Sequence, residues 1–194
     1  MNLMAGGFLD KLIYNYGVVP QLIVSDPFGH FTTLISSQFL HGGWMHLIGN
    51  MLYLYIFGDN VEDRFGHLSY FIFYIVCGIG ASMGQIYFHP NSLIPMIGAS
   101  GAIAGVLGAY FLFYPGAKVL TLIPMGMFSR IIEIPAFFFL GFWFLMQTLS
   151  GTSALYTARA IGQDIGGVAW WAHAGGFLVG GSLAFIFKLK RFVR

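Results

Sequence analysis

Charge is what this sequence has least of. Only 8% of its 194 residues are Asp, Glu, Lys or Arg, against about a quarter in an average globular domain. The net charge is +2, too small to supply the electrostatic footprint of a nucleic-acid binder, so no nucleic acid is expected as a partner. A single cysteine, Cys77, excludes a disulfide framework and a thiolate metal site. The first 20 residues lack a basic start followed by an apolar core, so no cleavable signal peptide is expected. What fills the chain is apolar: 57% hydrophobic, 18% aromatic, mean hydropathy +0.76. This is the composition of an all-α polytopic membrane protein, here a single membrane domain over 1–194.

Apolar runs predict five transmembrane helices, at about 44–57, 68–88, 100–114, 132–150 and 168–187, preceded by an N-terminal membrane-associated loop region over 1–43. Lys and Arg favour cytoplasmic loops. With the tail "KLKRFVR" inside, Arg64, Lys118 and Arg130 also fall inside, and Lys11 and Arg159 fall outside. The C-terminus is therefore expected in the cytoplasm. The same alternation leaves the N-terminal region outside with no spanning run, as if an earlier helix were absent.

The stretch "MIGASGAIAGVLGAY" holds one hydroxyl, Ser100, among Gly98, Gly101, Gly105 and Gly108. Small residues let membrane helices approach closely, and a serine among them is commonly a packing residue. The alternative is a nucleophile. A helix from Ser100 to "YPG" covers about 22 Å, short of a hydrocarbon core of about 30 Å. The preceding "HPNSLIPMIGA" must then dip into the membrane, which irregular backbone tolerates only inside protein or beside a water-filled cavity. A packing face has no need of such a depression.

A serine nucleophile needs a base, and His173 lies in the outer half of the last apolar run. Gly176 and Gly180 follow it at i+3 and i+7 on one helical face as a GxxxG pair, and Gly101 and Gly105 form another GxxxG pair on the serine helix, so two close-packing faces could bring Ser100 and His173 together. Acyl transfer also needs donors for an oxyanion. His46 and Asn50 are four apart and share a helical face, and the Ser100 amide is free at a helix start. His41 falls at the helix entrance. No acidic residue is placed to orient His173, Asp164 being in the loop before it, so the reading is a Ser–His dyad. His30, His67 and His89 read as solvated surface groups. A haem or metal held by His46 and His173 is weakened by the absence of acidic or thiol ligands nearby, and neither metal nor cofactor is expected.

At these residues the chain resembles the rhomboid intramembrane serine proteases. "HGGWMHLIGN" matches a His-x4-His-x3-Asn signature through His41, His46 and Asn50. "GASGA" matches Gly-x-Ser-Gly through Gly98, Ser100 and Gly101. "AHAGGFLVG" matches the final-helix motif through His173, Gly176 and Gly180. The resemblance implies a rhomboid-like helical bundle in which Ser100 attacks the peptide carbonyl and His173 is general base, then acid. It implies an oxyanion site of His46, Asn50 and the Ser100 amide, with His41 structural. Where some members carry an aromatic residue four after the serine, this chain has Ala104, so another group must orient the ring. Thr32-Thr33 replace a Trp-Arg pair of the N-terminal loop, and the usual first helix is not found. The expected activity is endoproteolysis of single-pass transmembrane proteins near the outer face, in a prokaryotic inner membrane. The alternative is a catalytically silent relative that binds transmembrane clients.

Overall fold

Two prolines each open a short helix of the N-terminal region. In the computed structural model, which describes residues 7–126, 128–162, 164 and 166–192, helix α1 (Phe8–Tyr16) is followed by α2 (Pro20–Ser25) and α3 (Pro27–His30), each beginning on its proline. Proline's fixed φ suits a first helical turn, where its missing N–H is not needed. α4 (Thr33–Ser36) runs into a 3-10 turn over Ser37–Phe39. The region expected as loop is therefore a string of short helices. Backbone pairing anchors it: Val18 and Met96 exchange hydrogen bonds of 2.9 and 2.7 Å, and the Gly98 N–H donates to the Ser37 carbonyl at 2.9 Å. The Gln38 amide adds bonds to the carbonyls of Leu34 and Ile75. Thr33, half of the pair that departs from the family pattern, is buried, with its hydroxyl on the His30 carbonyl.

Five long elements follow: α5 (Trp44–Phe65), α6 (His67–Phe88), α7 (Ser100–Phe113), α8 (Ala136–Ile161) and α9 (Trp170–Phe192). α5 runs eight residues past the expected end at 57. Asp59, Glu62, Asp63 and Arg64 end its apolar character but not its helical backbone, which stops at Gly66 with φ +79°. α8 likewise begins at 136 rather than 132 and runs on to 161 rather than 150, ending at the left-handed Gly162.

Between α7 and α8 the described residues form strands and turns in place of helix. β1 (Lys118–Met125) and β2 (Phe128–Pro135) pair antiparallel, with Leu122 opposite Ile131 and Lys118 opposite Pro135. This hairpin corrects the all-α expectation and takes residues 132–135 out of the fourth expected helix. An apolar run rich in isoleucine suits strand or helix until its length is known. Here Pro135, which cannot continue the hydrogen-bond pattern of a helix interior, sets the boundary. The hairpin and the C-terminal end of α5 lie at the same end of the molecule as the last turn of α7, where the Arg64 Nε donates to the Tyr114 hydroxyl at 3.0 Å.

α7 is the axis of the fold. Every residue from Gly101 to Tyr110 is buried, with α5, α6 and α9 packed around it. Its closest neighbour is α9. A Cβ on Gly176 would overlap the Gly101 carbonyl oxygen, and one on Gly180 would overlap the Gly105 carbonyl, so these two helices meet backbone to backbone. Outward faces carry large apolar side chains, among them Phe71, Phe138, Phe142, Leu178 and Phe185, as expected where lipid replaces water. By length and composition His67–Phe88, Ala136–Ile161 and Trp170–Lys190 can each cross a membrane. α7, at 14 residues, spans about 21 Å.

Candidate active site

Ser100 is the first residue of α7 and so lies among the amides a helix start leaves unpaired. The turn into it requires Gly98, whose φ is +122° and whose ideal Cβ would lie 2.7 Å from the His46 ring. Glycine here both makes the turn and admits the imidazole.

His173 sits in the first turn of α9. The Gln85 side chain of α6 caps that turn, its Oε1 accepting from the amides of Trp171 and Ala172 at 3.1 and 3.3 Å. The close glycine contact brings the first turns of α7 and α9 together, and the His173 Nε2 lies 2.8 Å from the Ser100 Oγ. The Nδ1 of the same ring lies 2.8 Å from the Gln147 Oε1 of α8. Trp143 and Trp170 flank the imidazole, with centroids 6.0 and 6.4 Å away. Asp164, as expected, is not at the ring; it pairs with His89 at 3.5 Å.

His46, Asn50, Ser100 and His173 line one cavity of about 580 Å³, together with Trp143, Trp170 and Gln85. Asn50 is buried, and its Nδ2 has no hydrogen-bond partner among the described residues. The Gly42 N–H donates to the His46 Nδ1 at 3.4 Å. An amide N–H can only donate, so that nitrogen is the acceptor and Nε2 carries the proton. The cavity thus holds a hydroxyl in contact with an imidazole, together with three donors: the Asn50 amide, the His46 Nε2–H and the Ser100 backbone N–H. Such a set can accept a carbonyl carbon at the hydroxyl and a developing negative charge at the donors.

His41 packs edge-on to His46, with centroids 5.1 Å apart. Burial, and then the neighbouring His46, lower its pKa against the opposing pull of a backbone hydrogen bond, so it is neutral at pH 7. His67 is exposed, as expected, with Glu62 at 2.6 Å. His89 is not a solvated surface group: it is largely covered, faces Asp164 and lines the cavity.

Gln147 and Gln85 escaped the reading of the sequence. Gln147 is the one amide side chain in "FWFLMQTLSG", and an amide inside an apolar span was the available signal. Gln85 near the end of α6 left no comparable trace.

The sequence matches the Rhomboid domain family over residues 29–190, a stretch that contains every site residue above. RHOMBOID-like protein 6, mitochondrial, of Arabidopsis thaliana is 30% identical over 81% of this chain and 44% of its own length. Rhomboid-like protein 11, chloroplastic, of the same plant is 26% identical over 96% of this chain and 62% of its own. Rhomboid protease GluP of Bacillus subtilis (strain 168) is 38% identical over a shorter stretch, 42% of this chain and 15% of its own length. The chain thus spans less than two thirds of the length of these relatives. With most of its residues inside the family match, this membrane protein belongs to the rhomboid family.

Proposed function

We propose that the chain is an intramembrane serine endopeptidase. The observation that carries this is the 2.8 Å contact between the Ser100 Oγ and the His173 Nε2 inside a cavity lined by spare hydrogen-bond donors. The name of one bacterial relative, a rhomboid protease, is consistent with it.

In this reading the Ser100 Oγ attacks a peptide carbonyl carbon while the His173 Nε2 takes the hydroxyl proton. Negative charge collects on the carbonyl oxygen and is held by Asn50, His46 and the Ser100 amide. His173 then gives its proton to the leaving amine nitrogen as the C–N bond breaks. The acyl-enzyme is hydrolysed by water, with His173 again base and then acid. The substrates are single-pass transmembrane proteins whose helix unwinds near the outer membrane face, since a helical peptide bond is shielded by its own hydrogen-bond ladder.

α5 to α9 would form the five crossings of one domain over 1–194, with the hairpin and the C-terminus on the cytoplasmic side. Mitochondrial and chloroplastic relatives sit against the prokaryotic inner membrane expected above; the proposed location is a membrane, with the chain multi-pass.

The deciding experiment incubates the purified chain in liposomes with a fluorophosphonate probe and with a labelled single-pass substrate. Ser100 should be modified, and the substrate cut near one membrane face. A chain that captures the substrate without cutting it, and never reacts with the probe, is instead a client-binding relative.

A further inference from the structure

An imidazole that is to take a proton from a hydroxyl must present a bare nitrogen to it. Its other nitrogen must then carry the hydrogen, and some group must accept it. Among the described residues no carboxylate meets the His173 ring. The group that does is the Gln147 amide, buried, with its Oε1 2.8 Å from Nδ1.

We propose that Gln147 is the positioning residue of this site: its amide oxygen holds the Nδ1–H tautomer of His173 and so aims a bare Nε2 at Ser100. This rests on the Ser–His reading given above.

The surroundings support the assignment independently of that one distance. Trp143 lies four residues before Gln147 and Gly151 four after it, so the three share a face of α8. Trp143 flanks the His173 ring, and Gly151 leaves room for Trp170 and Trp171 at the start of α9. One stripe of α8 is thus shaped around the turn that carries His173. With both nitrogens bonded and Trp143 and Trp170 packed near it, the ring is held against rotation. Ala104, four residues after the serine, is too small to stack on it.

An amide in place of a carboxylate has a physical logic at this depth. An ionised side chain inside a membrane span is expensive, whereas a neutral amide accepts the same hydrogen bond without a charge to bury. It also brings a sensitivity that a carboxylate lacks. If the Gln147 side chain turns over, its NH2 group donates to Nδ1, the proton moves to Nε2, and Nε2 can no longer take the Ser100 proton.

The test compares the whole 194-residue chain as wild type, Gln147→Glu and Gln147→Leu in liposomes, by the rate of fluorophosphonate labelling and by the 15N signals of the His173 ring, assigned by their loss in His173→Ala. The leucine variant keeps the volume and removes the acceptor; its labelling should fall about 10²-fold, the scale of a lost general base. The glutamate variant restores an acceptor and should recover to within about tenfold of wild type. Wild-type signals should report a protonated Nδ1 and a bare Nε2, and the leucine variant a shift towards the other tautomer. Equal labelling by the leucine variant, or a wild-type ring protonated on Nε2, would overturn the proposal. If the leucine variant does not fold, the glutamate variant and the wild-type spectrum still decide. Failure of wild type to label removes the Ser–His reading itself; the ring spectrum then reports separately on what Gln147 does.

Discussion

The Ser100 hydroxyl and the His173 imidazole meet at 2.8 Å although 73 positions separate them in the chain. Neither residue brings this about. Gly101 against Gly176, and Gly105 against Gly180, let α7 and α9 touch through their backbones, so that residues at the two helix starts come within hydrogen-bond reach. The site is therefore a consequence of helix packing, and substitutions can separate the chemistry from the packing.

Ser100→Ala and His173→Ala should each abolish phosphonate labelling and lower substrate cleavage by about 10³-fold or more; Ser100→Ala should barely change thermal unfolding, whereas His173→Ala, which leaves the buried Gln147 amide without its partner, should also lower it. Groups that act as a unit are strongly non-additive, so the double variant should be no worse than either single one. The check is single-turnover cleavage beside a melting curve; additive losses would argue against a shared step.

Asn50→Ala tests the oxyanion site. The buried Nδ2 has no partner among the described residues, and an unpaired buried amide is a burden to the folded state. Stability should hold or rise slightly while kcat falls about 10²- to 10³-fold. That opposition of sign, read from unfolding and kinetics on one preparation, distinguishes a functional amide from polar glue between helices.

Gly180→Ala should act through geometry alone. Its methyl group would meet the Gly105 carbonyl oxygen, and overpacking of this kind costs about 1–3 kcal/mol. Thermal unfolding should drop by several degrees, and labelling should fall as Ser100 and His173 move apart. Gly116→Ala, where a Cβ meets nothing within 4 Å, is the control and should leave both unchanged.

Gln85→Leu removes the acceptor shared by the Trp171 and Ala172 amides. Loss of a helix N-terminal partner costs about 0.5–2 kcal/mol. Hydrogen exchange at those two amides should speed up, with a smaller effect at the far end of α9.

Several parts of the molecule were legible in the sequence because they depend on neighbours along the chain. The start of α7 at Ser100 follows from a glycine turn running into an uninterrupted apolar helix. His46 and Asn50 share a face because of their spacing. The hairpin was not legible: its apolar runs are shorter than a span, rich in isoleucine, and continuous with the apolar start of α8. The charged end of α5 hid a helix that continues past its apolar stretch. Pairing across the sheet and packing at the helix ends decide such cases, and neither is a local property.

The sequence by itself determined the class of the protein, the apolar runs that can cross a membrane, and the glycine spacings that let two helices touch. Only the tertiary structure decided what the second nitrogen of His173 bonds to. Gln147 stands 26 positions away on another helix, and His89 was drawn from the expected surface to the cavity wall beside Asp164. The physical reason is one of range. Periodicity and composition report on neighbours within a few turns, whereas the partner of a side chain at a helix crossing depends on how far each helix is rotated and advanced, and that is set by every packed surface between them.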